Sequence, residues 1–297
     1  MEKNIVLTLD GGGIRGLIQI RILGRILDKF PELQEKILFI GGTSVGAVNG
    51  SGLGIGLKPA EVQKLLYDGA PEVFEDSIFD DIKDLGRLLG AQYSVKNLNK
   101  VLEKQLQQKK VKDLSIDCGF TVFDMEKWEP VFINSLETKY DDMPLLDAVT
   151  GSASAITFFE LWKYMTDGGI WAVNPTMASL ALLKSPASNL GAVSWSDIKI
   201  LNIGTGDFHS PPMDIGPNED IGYVKLAQLI PDVFLDGVNR MIATQAGWIL
   251  HDDFHRVSPA LPKKIGMDDW KKRDELLDLG QNENLSETFK WIEASLS

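Results

Sequence analysis

The sequence predicts an α/β fold built on a mostly parallel sheet, on three observations. Ile5 to Leu9 and Ile37 to Ile40 are short apolar runs on either side of a segment with Leu17, Ile18, Ile20, Ile22, Leu23, Ile26 and Leu27 at largely helical spacing. Strand, helix and strand within about forty residues make a parallel βαβ unit. Both strands run into glycine turns, Asp10-Gly11-Gly12-Gly13-Ile14-Arg15-Gly16 after the first and Gly41-Gly42-Thr43-Ser44-Val45-Gly46 after the second. A later apolar run, Ile198 to Ile203, ends the same way in Gly204-Thr205-Gly206. The carboxyl ends of neighbouring parallel strands are where open α/β sheets hold their ligands.

The elements follow in order. Pro31 and Glu32 break the first helix, and the small residues after Ser44 read as a second one. Residues 59–114 are mostly helical in texture, with Val62, Leu65 and Leu66, then Leu98, Val101, Leu102 and Leu106, on one face. Within it, Gly69 to Gly90 is rich in glycine and acids and reads as loop with short helices, so 59–114 is the expected cap or lid, with an ordinary surface insertion as the other reading. Ile116 to Phe123 and Glu129 to Ile133 alternate like paired strands joined through Glu126-Lys127-Trp128. Leu145 to Val149 is helical and runs into Gly151-Ser152-Ala153-Ser154-Ala155, then Phe158 and Phe159. Thr166-Asp167-Gly168-Gly169 reads as a tight turn that holds a carboxylate toward a cleft, and Asn174-Pro175 as an N-cap with proline at the first helical position. Asp220 to Leu250 reads as helices and Phe289 to Leu296 as a closing helix.

Composition narrows the function. Of 297 residues, 42 are acidic and 30 basic, a net charge of -12 that argues against nucleic-acid binding. The densest basic run, Lys109, Lys110 and Lys112, reads as a solvated helix end. A single cysteine, Cys118, excludes an intrachain disulfide and fits a reducing compartment, so the expected location is cytoplasmic. Met1 to Asn4 leads directly into the first strand, which leaves no room for a signal peptide's apolar region. No apolar stretch reaches membrane-spanning length. Membrane contact is therefore expected to be peripheral, at an apolar rim near Phe74, Ile78 and Phe79. The oligomeric state is not legible.

The chemistry centres on Ser44. A serine on a sharp strand-to-helix turn exposes its hydroxyl beside the amides of a helix start, and Gly42 and Gly46 let strand and helix approach it. The upstream glycine loop fits three readings. Gly11, Gly13 and Gly16 satisfy the dinucleotide pattern, but that pattern needs an acid at the end of the next strand, where this chain has Gly41-Gly42. A structural turn is the second reading. An oxyanion hole serving Ser44 is the third. Among His209, His251 and His255, the last two could complete a triad on chain order. Only one strand precedes that of Ser44, however, and both late histidines sit among Asp252, Asp253 and Arg256, where a solvated surface role is expected.

Asp10 to Gly16, then Gly42 to Gly46, then Asp167-Gly168-Gly169 resemble, in this order, the three signature blocks of the patatin-like phospholipases. Ser154-Ala155 with Phe158-Phe159, Asn174-Pro175 and Gly204-Thr205-Gly206 extend the resemblance to about Phe208, and the C-terminal third matches loosely. Val173 departs from it, since members often have two asparagines before the proline.

The resemblance implies a three-layer α/β/α sandwich forming a single domain over 1–297, with a core of about 4–208 and a helical C-terminal part of about 209–297. It implies a lipid acyl hydrolase acting on lipid or fatty-acyl esters without metal or cofactor. Ser44 is its nucleophile and Asp167 its general base. Gly11, Gly12, Gly13 and Gly16 form its oxyanion hole. Arg15 either adds charge to the oxyanion or a lipid phosphate, or forms a structural ion pair. Gly42, Gly46, Gly168 and Gly169 support the two reacting groups. An exposed carboxylate, with a pKa of about 4, is a poor base for a serine, so Asp167 has to be desolvated, with Trp171, Phe158 or Phe159 as the expected cover. Two alternatives stay open: an effector that degrades membrane lipids on a signal, and a non-catalytic nucleotide- or phosphate-binding protein using Gly11 to Gly16.

Overall fold

The computed structural model describes residues 4–75, 91–156, 158–191, 193–208 and 222–297, and for 222–235 the backbone alone. Ile78, Phe79 and His209 lie outside the described residues. Strand β1 (Ile5–Leu9) leads through a single 3-10 turn into α1 (Gly16–Lys29). The short α2 (Leu33–Lys36) precedes β2 (Ile37–Gly42), which is followed by α3 (Val45–Gly54). Next come α4 (Pro59–Phe74), α5 (Val95–Leu106), β3 (Asp117–Asp124), β4 (Glu129–Asn134) and α6 (Leu145–Ala153). They are followed by β5 (Met165–Asp167), α7 (Gly169–Ala172), α8 (Thr176–Lys184) and β6 (Lys199–Ile203). The chain closes with α9 (Gly222–Leu250), β7 (Phe254–Val257), α10 (Arg273–Asn282) and α11 (Ser286–Leu296).

The strands form one sheet in the order β4-β3-β2-β1-β6-β7, with β5 pairing β3. The β2–β3, β1–β2, β1–β6 and β6–β7 pairs are parallel, as the βαβ reading requires, and only β4 and β5 run antiparallel. Helices cover both faces. The larger core joins Leu7 and Leu9 to Leu17, Leu23, Val62, Val101, Val149 and Leu276, and a smaller one on the other face joins Val6, Phe39 and Ile200 to Leu180 and Leu183. This is the three-layer α/β/α architecture.

Several boundaries differ from the expectation, each because of packing. Gly69 to Phe74 continues α4, because Gly69 sits where an added Cβ would lie 2.5 Å from Val101 of α5; Pro71 lies inside the helix and removes one amide donor from its ladder, and residues 76–90 lie outside the described residues. Helices α4 and α5 pack into the larger core with α1 and α6. Asp167 ends a three-residue strand, too short to show periodicity. Helix α8 begins at Thr176, and the Asn174 side chain caps it from outside by accepting the Thr176 amide at 2.9 Å. Among the elements not anticipated, β7 and α10 are placed by tertiary contacts, β7 against β6 and α10 against α1. Among the described residues no helix is long and apolar enough to cross a membrane.

Candidate active site

Strand β3 is longer than its overlap with β2. Asp117 to Phe120 pair with Phe39 to Gly42 of β2, and beyond the end of β2 the same edge of β3 is taken over by β5, with Val122 opposite Asp167. The carboxylate of Asp167 thereby comes to the place where the chain leaves β2 for Ser44. The hydroxyl of Ser44 is its hydrogen-bonding neighbour there and pulls its pKa down.

Ser44 is held in a backbone conformation that L-residues rarely adopt, with φ 56° and ψ −122°. This is the strained strand-to-helix elbow, and close contacts maintain it. A Cβ on Gly46 would lie 2.1 Å from the Leu9 carbonyl, so helix α3 rests directly on the end of β1, and a Cβ on Gly42 would lie 2.5 Å from the Gly46 carbonyl. The Ser44 amide donates to Ser152 Oγ at 3.1 Å, and Thr43 Oγ1 donates to the Ala172 carbonyl at 2.6 Å while accepting from Thr121 Oγ1 at 2.8 Å. The end of α6 grips both residues, since the Asp167 amide donates to the Ser154 carbonyl at 3.1 Å. Ser152 was not singled out from the sequence, where it is one small residue in a run of them.

Burial pushes the Asp167 carboxyl up to about 6, against the pull of the hydrogen bonds from Ser44 and from the Gly169 amide, which reaches Oδ1 at 2.7 Å. No positive side chain acts on it among the described residues. Gly168 packs on Thr121. Of the expected covers, Trp171 anchors beside it, its indole N–H donating to the Val122 carbonyl at 3.0 Å, while Phe158 and Phe159 pack with Tyr93.

The glycine loop lies against the elbow: a Cβ on Gly11 would sit 3.3 Å from that of Ser44, and Gly16 meets the Val45 side chain. Its amides divide into two groups. Gly11 N–H donates to the Val173 carbonyl and Ile14 N–H to the Met267 carbonyl, both at 2.8 Å. Gly12 and Gly13 N–H have no acceptor among the described residues, and neither does Val45 N–H at the start of α3. Arg15 Nε donates to the Gly12 carbonyl at 3.4 Å.

Neither His251 nor His255 is among the described partners of Ser44 or Asp167. His255 stacks on Trp291, with Nε2 3.0 Å from Thr288 Oγ1, and burial holds its pKa below the ordinary value. The surface reading of its neighbourhood fails at Arg256, which is 17% exposed and ion-paired to the fully buried Asp10. Charge alone suggested solvent, and nothing local signalled a partner 246 positions away.

The patatin-like phospholipase family model matches residues 7–180. A cGAMP-activated phospholipase of Escherichia coli (strain TW11681) is 28% identical over 243 residues, 74% of this chain and 68% of that protein. Protein teg of Priestia megaterium is 23% identical over 99% of both chains. Among solved structures, VipD from Legionella pneumophila is similar over 94% of this chain and 67% of its own, at 13% identity and a TM-score of 0.43.

Proposed function

This chain belongs to the patatin-like phospholipase family and is a lipid hydrolase, and we propose that it cleaves phospholipid or lysophospholipid acyl esters with Ser44 as nucleophile and Asp167 as general base. The observation that carries this reading is a buried carboxylate, with Ser44 as its hydrogen-bonding neighbour and no positive side chain acting on it among the described residues, whose pKa is pushed up to about 6. Such a group is ionised at neutral pH yet basic enough to take a proton from the attacking hydroxyl.

In this mechanism Ser44 Oγ attacks the ester carbonyl carbon as its proton passes to Asp167. The carbonyl oxygen becomes an oxyanion met by the Gly12 and Gly13 amides, with Val45 N–H as a further donor. Collapse expels the alcohol, which takes the proton from Asp167, and leaves an acyl-Ser44 ester. Water then repeats the sequence with Asp167 again as base. No step calls for a metal, so turnover is expected to survive a chelator.

Ser44→Ala should lower hydrolysis of a short-chain p-nitrophenyl ester by about 10⁴-fold or more with a nearly unchanged melting temperature. Turnover at the parent rate would overturn the assignment. Labelling by a fluorophosphonate distinguishes the enzyme from a phosphate-binding protein, because only an activated serine reacts.

A second reading, hydrolysis that waits for a signal, is favoured by the name of the Escherichia coli relative, a cGAMP-activated phospholipase. Turnover of phospholipid vesicles with and without added cGAMP tests it, and equal rates would remove it.

A further inference from the structure

We propose that Arg256 is a positioning residue that aims the Gly12 and Gly13 amides at the oxyanion, so that the C-terminal part of the chain completes the reactive site. The inference rests on the serine–aspartate reading above, and it concerns side chains to which that mechanism gives no role.

The sheet puts Arg256 in place. Strand β7 pairs with β6 so that Arg256 lies beside Asn202, and Asn202 lies beside Thr8 of β1. Residues in register on parallel strands share a face, so the three side chains form one polar row just before β1 opens into the glycine loop. The guanidinium then spans three partners. Nη1 donates to Asp10 Oδ2 at 2.6 Å and to Asn202 Oδ1, and Nη2 donates to Asp207 Oδ1 at 3.3 Å. The Asn202 amide donates to the other oxygen of Asp10 at 2.8 Å. Both carboxylate oxygens of the residue that precedes Gly11 are therefore tied down from strands that come later in the chain.

The loop's far end is held from the same direction. The Met267 carbonyl accepts the Ile14 amide at 2.8 Å and lies so close to Gly13, whose φ is +57°, that a Cβ there would come within 2.1 Å of it. Thr205 Oγ1 adds a hydrogen bond to the Gly11 carbonyl at 2.9 Å. Arg256 and Met267 thus fix the entrance and exit of the loop, and the two amides without acceptors lie between them. Three successive glycines have too much backbone freedom to hold such a geometry themselves. Donors stabilise a developing oxyanion only if they are aimed before the charge appears.

Arg256→Gln and Arg256→Lys are the test, with Arg240→Gln, which breaks an exposed pair with Asp236, as the control expected to leave turnover unchanged. In Arg256→Gln we expect kcat for a p-nitrophenyl ester to fall about 100-fold with KM nearly unchanged. The Ki of a trifluoromethyl ketone, whose hemiketal needs the same amides, should rise in step. Arg256→Lys keeps the charge but not the fork, and should lose about tenfold. End-point fluorophosphonate labelling counts the folded, competent molecules. A kcat per labelled serine within twofold of the parent, or a fall in kcat with no change in the ketone's Ki, would overturn the proposal. Should Arg256→Gln fail to fold, Arg256→Lys decides by the same two readouts. Turnover in Ser44→Ala would instead sink the catalytic reading itself.

Discussion

The tripeptide Asp-Gly-Gly occurs at Asp10-Gly11-Gly12 and again at Asp167-Gly168-Gly169, each time at the end of a strand with the aspartate buried. Burial raises both carboxyls above their ordinary value. At Asp10 the Arg256 guanidinium and the Asn202 amide pull against that rise. At Asp167, among the described residues, the opposing pull comes from the Ser44 hydroxyl and the Gly169 amide alone, and the carboxyl stays at about 6. The difference teaches that local sequence sets where a carboxylate stands, while its distant partners decide its work. A buried acid matched by a cation holds structure together, and one matched by a hydroxyl is poised to accept a proton.

Neutralising each acid should separate the two. Of the two acids the larger effect is expected for Asp167→Asn, which should lower kcat by about 10³-fold or more. For the parent, kcat/KM should rise with pH and level off above about 6, where Asp167 becomes a free base. The sign for stability is opposite. Because the folded-state pKa lies above the unfolded value of 3.8, Asp167 ionises less readily in the folded protein. Its cost is absent below about pH 4, grows as pH rises through the window between the two values, and reaches about 3 kcal/mol above it. Asp167→Asn should therefore be more stable than the parent at pH 8 and lose that advantage at pH 4, as read by denaturant unfolding at both pH values. Equal stability at both would mean that the carboxyl is not desolvated.

Asp10→Asn should behave the other way. It leaves Arg256 buried with Asp207 as its remaining charged partner, and should cost about 2 to 3 kcal/mol at neutral pH while leaving the midpoint of the pH–rate profile in place. A shifted midpoint would show that the two acids are coupled. The smallest effect is expected for Thr205→Val, which keeps the shape beside Gly12 and removes one hydrogen bond to the Gly11 carbonyl. About 1 kcal/mol of stability should go with it, and kcat should fall about fivefold. A fall as deep as that for Arg256→Gln would move the main grip on the loop from Arg256 to Thr205.

Much of the proposed site was legible because its parts are local backbone requirements. A strand that must turn sharply into a helix needs small residues at fixed offsets, and Gly11 to Gly16 and Gly42 to Gly46 carry them. The groups that hold those parts together were not. Ser152 grips the Ser44 amide from 108 positions away, and nothing in a run of glycine, serine and alanine marks it. Arg256 sits among charged residues in a four-residue strand, and Asp167 in a three-residue one. Such strands carry too few positions for alternation to show, and they exist because an edge of β6 or β3 is free to receive them.

The sequence by itself determined the α/β class and the order of the first strands and helix, since these follow from nearest-neighbour backbone geometry, and its resemblance to a family supplied the candidates for nucleophile, base and oxyanion donors. Only the tertiary structure decided that Asp167 meets Ser44 and that Asp10 meets Arg256. Those meetings depend on where β5 and β7 join the sheet, and pairing between strands dozens of residues apart is fixed by the packing of the whole core.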